Sequence, residues 1–169
     1  MLKKIKIIDN FLDKEVFKKL QSFLLGDNCP WFYNESKASG GYQHQFTHTF
    51  LGNKLNPSWS NSTNHIAALL NKINPRVWIR IKSNLTSINS KAGVGGWHYD
   101  KLTDGVPWSD TTTSIFYINT NNGYTMFESG KKIPSLENRI VTFPNDLKHT
   151  GVSQTATKIR VTINLNYLE

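Results

Sequence analysis

The hydrophobic period of this chain changes at Pro75, and that change restricts the available folds more than any other feature. Val16, Phe17, Leu20, Phe23 and Leu24 share one face of a helix that Asp13 can cap and Gly26 can stop. Ile66, Leu69, Leu70 and Ile73 repeat the helical spacing over residues 62 to 73, just before the proline. A short strand, Ile5 to Ile8, precedes both and ends at the turn signal Asp9-Asn10. Beyond Pro75 the period is two: Val77, Ile79 and Ile81 alternate with Trp78, Arg80 and Lys82, giving a strand with two chemically different faces. Further strands are expected at Thr112 to Asn119, Tyr124 to Glu128, Arg139 to Phe143 and Ile159 to Tyr167. Turn-rich segments separate them: Asn121-Asn122-Gly123, Ser129-Gly130 and Pro144-Asn145-Asp146. Helices followed by a run of short strands predict a mainly β (α+β) sandwich or barrel with helices packed on one side.

At 169 residues the chain is one domain's worth, residues 1–169, and an aromatic content of 12% excludes a disordered chain. No apolar run approaches the roughly 20 residues of a membrane span. Cys29 is the only cysteine, which excludes an intrachain disulfide and a cysteine-based zinc cluster. The stretch from Met1 to Ile8 is interrupted by Lys6 and is too short for a signal sequence, so a cytoplasmic location is expected. Twenty basic residues against 12 acidic ones give a net charge of +8. Those residues are scattered, so the surplus admits a nucleic-acid partner without favouring one.

Of the five histidines, His44, His48 and His65 have no evident partner and read as surface or satisfied polar residues. His98 and Asp100 form a His-x-Asp pair in Gly95-Gly96-Trp97-His98-Tyr99-Asp100. Residues i and i+2 of an extended segment point the same way, so an imidazole and a carboxylate can converge on one ion. The pair alone is a weak motif. If His149 also points inward, two imidazoles and a carboxylate make a facial triad for non-haem iron(II), with open coordination positions. Arg160 lies on the polar face of the last strand with Thr162, Asn164 and Asn166, opposite Ile159, Val161, Ile163 and Leu165. A cation there suits a carboxylate, with Lys158 as a rival on the same face. The alternative is an exposed edge strand with solvated polar residues. Gly93-Val94-Gly95-Gly96 lacks the strand–turn–helix setting of a phosphate loop and reads as a mobile loop leading to the ligands. Trp97, Tyr99 and Trp108 bracket the triad and could line a substrate mouth or simply pack.

The ordered set of motifs resembles the Fe(II)/2-oxoglutarate-dependent dioxygenases, in particular their prolyl 4-hydroxylase-like branch. It runs from Ile8-Asp9-Asn10-Phe11-Leu12 through Arg80-Ile-Lys-Ser-Asn84, His98-Tyr-Asp100, Ser114-Ile-Phe-Tyr117, Gly123-Tyr-Thr125-Met-Phe127 and Asn138-Arg-Ile-Val-Thr-Phe143 to His149-Thr-Gly and Arg160-Val-Thr162. The resemblance implies a double-stranded β-helix (jelly roll) with the N-terminal helices packed on one sheet. It makes His98, Asp100 and His149 ligands of Fe(II), and gives Arg160 the distal carboxylate of 2-oxoglutarate with help from Tyr117. Asn84 and Thr125 fall where co-substrate-contacting polar residues are common. Two departures stand out: the spacing from His149 to Arg160 is a little long, and Tyr124 replaces a second glycine.

The activity implied is hydroxylation of a C–H bond with O2, releasing succinate and CO2, on a protein or peptide substrate such as a prolyl residue. Two alternatives stay open: a nucleic-acid-directed oxygenase, motivated by the basic surplus, and a jelly-roll binding module without catalysis. The sequence leaves oligomeric state undetermined.

Overall fold

A computed structural model describes residues 4–35, 44–52, 58–103 and 105–169, which leaves Met1 to Lys3 of the N-terminal reading outside the described residues. Twelve strands and two helices follow in chain order: β1 (Lys6–Ile8), α1 (Lys14–Leu25), β2 (Phe32–Asn34), β3 (Gln45–Leu51), α2 (Ala67–Ile73), β4 (Val77–Ser87), β5 (Leu102–Thr103), β6 (Val106–Pro107), β7 (Thr112–Tyr117), β8 (Tyr124–Phe127), β9 (Lys132–Pro134), β10 (Arg139–Pro144), β11 (His149–Val152) and β12 (Ile159–Leu168). A seven-stranded antiparallel sheet runs β1-β10-β7-β12-β4-β3-β2, a smaller sheet runs β11-β8-β9, and β5 pairs with β6.

The alternation in the last strand explains this layering. β12 lies between β4 and β7, so it is a central strand and not the exposed edge considered above. Val161, Ile163 and Leu165 face a core shared with Phe17, Leu20, Phe23 and Leu24 of α1 and with Leu69 and Leu70 of α2. The helices therefore cover one face of the large sheet. A second core lies between the sheets, where Ile115, Tyr117, Val141 and Phe143 meet Phe127 and Ile133. Two facing antiparallel sheets with helices on one outer face match the expected jelly roll.

Differences from the sequence reading are local. The second helix is split: a 3-10 turn, Thr63–Ile66, leads into α2, which Asn74 ends in a left-handed conformation (φ 44°). Gly26 ends α1 in extended backbone, and glycine is needed because a Cβ there would lie 2.6 Å from the Ser22 carbonyl oxygen. β2, β3, β9 and β11 went unrecognised because they are short or carry few aliphatic residues. The glycine-rich segment is no free loop. Gly95 N–H donates to Gly151 O at 2.9 Å, Ser153 N–H donates to Gly93 O, and the Ser153 hydroxyl accepts from Gly93 N–H. The segment thus extends the small sheet beyond β11. Among the described residues, no helix is long and apolar enough to cross a membrane.

Candidate active site

The extension of the small sheet positions the two histidines. His98 and His149 face each other across an antiparallel rung and exchange both backbone hydrogen bonds at 3.0 Å. Their rings lie on the same side, 4.6 Å apart between centroids. Each ring Nδ1 approaches a backbone carbonyl, Gly96 O at 2.9 Å for His98 and Leu147 O at 3.2 Å for His149. A carbonyl only accepts, so Nδ1 carries the proton and Nε2 turns its lone pair to the centre. Asp100 follows at a bend, with Oδ1 3.7 Å from His98 Nε2 and 4.0 Å from His149 Nε2. Among the described residues, these three are the group of metal-ligating side chains whose donor atoms converge, all within 4.8 Å.

Burial would raise the Asp100 carboxyl, but the Arg80 guanidinium, the two imidazoles and the Asn166 amide together bring it down to about 2. Arg80 Nη2 stands 3.4 Å from Asp100 Oδ1. Asn166, wholly buried, donates from Nδ2 to Asp100 Oδ2 at 3.1 Å and to Thr113 Oγ1 at 3.0 Å, while its Oδ1 accepts from Arg80 Nε at 3.0 Å. Burial, ahead of the charges around it, lowers the His149 pKa and so favours the neutral imidazole a metal requires.

This donor set fits a divalent transition ion. Cis ligands at about 2.1 Å stand about 3 Å apart, so donor atoms that now lie within 4.8 Å of one another need their separations to close by about 1–2 Å. Each is also held by a second partner, which fixes tautomer and orientation.

A polar cleft opens beside the triad between the sheets, lined by β4, β12 and the ligand segments. Arg160 lies buried at its far end, where Nε donates to Ser135 Oγ at 2.9 Å and the guanidinium sits 5.8 Å over the Tyr117 ring. Lys158 is exposed, because the turn after β11 absorbs the longer spacing and parity in β12 then directs residue 160 inward. Tyr117 is wholly buried between the sheets and donates to Thr125 Oγ1 at 2.7 Å; Thr125 lines the cleft. Asn84 also lines it and donates from Nδ2 to Asn164 Oδ1 at 3.2 Å.

Two glycines give the guanidinium its room. A Cβ at Gly123 would fall 2.9 Å from Arg160 Cδ and 2.8 Å from Val152 O, and one at Gly151 would touch Arg160 Nη1 at 3.8 Å. Tyr124, where a second glycine was expected, has its ring under Lys132 Nζ and away from the cleft, so the replacement leaves the site intact.

The three aromatic candidates separate. Tyr99 lines the cleft, whereas Trp97 and Trp108 are exposed and do not. Trp97 precedes His98 on an extended rung, so the alternation that turns His98 inward turns Trp97 out. The Trp108 ring lies 6.0 Å from Lys101 Nζ. His48 is buried and satisfied by Pro30 O and Ser60 Oγ, and His65 stacks on Phe23; neither approaches the triad. Sequence reasoning assigned no role to Arg80, Lys82 or Asn166. Their positions on the polar faces of two neighbouring strands were the available signal.

No protein-family model and no curated protein sequence matches the chain. Solved structures do. A Burkholderia pseudomallei oxidoreductase of the 2OG-Fe(II) oxygenase family superposes with a TM-score of 0.70 at 11% identity, over 96% of this chain and 84% of that one. The chain has the fold of the 2-oxoglutarate/Fe(II) oxygenases. A Trichoplax adhaerens prolyl hydroxylase, solved with a hypoxia inducible factor peptide fragment, gives 0.65 at 16% identity over 97% and 83% of the two chains. HygX of Streptomyces hygroscopicus, with nickel and 2-oxoglutarate bound, gives 0.61 at 9% identity over 97% and 82%.

Proposed function

We propose that this single domain is an Fe(II)- and 2-oxoglutarate-dependent oxygenase that hydroxylates a C–H bond of a protein or peptide. The observation carrying the reading is the convergence of His98 Nε2, His149 Nε2 and Asp100 Oδ1 beside a cleft with a buried arginine at its far end. A complete, oriented triad favours catalysis over a binding module. The peptide substrate rests on the likeness to a prolyl hydroxylase solved with a peptide fragment.

His98, Asp100 and His149 would hold the metal on one face and leave the opposite face for ligands. The Arg160 N–H groups other than Nε, which have no hydrogen-bond partner among the described residues, would take the distal carboxylate of 2-oxoglutarate, with Thr125 at that end, Tyr117 behind it donating to Thr125 Oγ1, and Asn84 on the cleft wall. Iron and the keto acid, when bound, supply O2-dependent C–H oxidation coupled to loss of CO2 and formation of succinate. The chain's own part is to fix ligand geometry through Gly96, Leu147, Asn166 and Arg80, and to keep the acid anchored away from water.

Anaerobic addition of 2-oxoglutarate to the Fe(II)-loaded protein tests the reading. A visible charge-transfer band is expected, absent in His149→Ala and in Asp100→Ala. By calorimetry, Arg160→Met should weaken 2-oxoglutarate binding at least tenfold and Lys158→Met should leave it within twofold. Bound iron without a band refutes the mechanism.

A further inference from the structure

The cleft carries more positive charge than this chemistry uses. Its lining includes three cationic side chains, Arg80, Lys82 and Arg160, and one carboxylate, Asp100. On the oxygenase reading, the metal dication, Asp100, the 2-oxoglutarate dianion and Arg160 sum to neutrality. Arg80 is committed to Asp100 and Asn166. Lys82 is left over.

Its setting makes that surplus costly. Lys82 stands on the cleft face of β4 between Arg80 and Asn84, and its register partners are Asn164 on β12 and Thr49 on β3. Neither partner is acidic. Among the described residues its ammonium has no ion pair or hydrogen-bond partner; burial and then Arg80 work against the charged form, and the Asp100 carboxylate only partly offsets them. A lysine with only its stem covered would send its head to water; this one lines the cleft with the metal ligands. The adjoining wall offers uncharged polar groups, Gln45, Asn84, Thr162 and Asn164, and few apolar ones. A desolvated ammonium among neutral amides and hydroxyls is what an anion requires.

We propose that Lys82 is the specificity-determining cation of this site and binds an anionic group, a carboxylate or a phosphate, carried by the primary substrate. The inference rests on the oxygenase reading, which assigns 2-oxoglutarate to Arg160. A substrate lacking the charge leaves the half-buried Lys82 ammonium unpaired, so neutral analogues are disfavoured.

The test uses the full chain loaded with Zn(II), which allows no turnover, and calorimetric titration in three steps. The first titrates 2-oxoglutarate: no binding overturns the oxygenase reading itself. Binding abolished by Lys82→Met but kept in Arg160→Met overturns the present inference, because Lys82 would then be the co-substrate anchor. With 2-oxoglutarate saturating, the second and third titrations use acetate and methyl phosphate, which separate the two anion sources. At least one should bind with a millimolar or tighter Kd, weakened tenfold or more in Lys82→Met and largely retained in Lys82→Arg. Binding of neither probe by the wild-type protein, or equal binding by Lys82→Met, refutes the proposal. Circular dichroism of each variant verifies that it is folded.

Discussion

Replacing Asn166 by leucine tests whether the metal site depends on groups that never touch the metal. The amide is wholly buried and makes three hydrogen bonds: one to the Asp100 carboxylate, one from the Arg80 guanidinium and one to the Thr113 hydroxyl. Leucine keeps the branching at Cγ and is the larger side chain, so the loss is polar, with some overpacking, and opens no cavity. Each bond to a charged partner contributes about 1.5–3 kcal/mol and the neutral one about 1, while the apolar side chain recovers part of that. A net destabilisation of about 2–4 kcal/mol follows, read from urea unfolding. The effect on the metal is separate. Asp100 Oδ2 would lose its donor and Arg80 its rigid neighbour, so the carboxylate would no longer be held facing the two Nε2 atoms. Loss of such an outer partner costs 10–100-fold in metal affinity. Competition titration of Zn(II) against a chromogenic chelator measures it. Thr113→Val is the control: it removes the bond from Asn166 and a long one (3.4 Å) to Asn145 Oδ1 while leaving the bonds between Asn166 and its charged partners, should cost about 1–2 kcal/mol, and should leave affinity within twofold. A folded Asn166→Leu protein with wild-type metal affinity refutes the argument.

Three further outcomes are expected. Gly123→Ala brings a Cβ to 2.8 Å from Val152 O and 2.9 Å from Arg160 Cδ, so it should cost about 1–3 kcal/mol and weaken 2-oxoglutarate binding by calorimetry, whereas Gly151→Ala, at 3.8 Å from Arg160 Nη1, should perturb both less. Asn145 is buried, accepts from Lys101 N–H and donates to the carbonyls of Lys101 and Trp108; Asn145→Ala should cost about 2–4 kcal/mol in urea unfolding and expose the segment after Asp100 to limited proteolysis. Burial pushes the Cys29 thiol from its ordinary 9.0 up to about 11, so the folded state keeps a proton that the unfolded chain has lost. Stability must therefore fall as pH rises from about 9 through about 11. The gap between wild type and Cys29→Ala should narrow over that window, and a constant gap would contradict the assignment.

The alternation in β4, β7, β10 and β12 made most of the large sheet readable from the sequence, because each strand is long enough for one face to be apolar along its length. β3 shows the limit. Phe46, His48 and Phe50 alternate with Thr47 and Thr49, but the residues on that face are aromatic and polar, not aliphatic, and a bulge near Thr49 breaks the period. The triad was readable because its residue types are chemically distinctive. Asn166 and Lys82 were not, since their importance depends on which strand lies alongside, and that is set by long-range pairing. Trp97 and Trp108 stand close in sequence to His98 and Asp100, yet both are exposed and neither lines the cleft, a placement that sequence proximity does not reveal.

The rung that joins His98 to His149 bears on the order in which the molecule assembles. The two imidazoles come from distant parts of the chain and meet only when the glycine-rich segment docks along β11 through its backbone. No short fragment holds both ligands in register, so the site cannot act as a nucleus around which the chain collapses. The small sheet must form before an ion can be bound tightly. Metal uptake then reports the completion of folding, and a bound ion closes the outermost strand as a clasp closes a finished band.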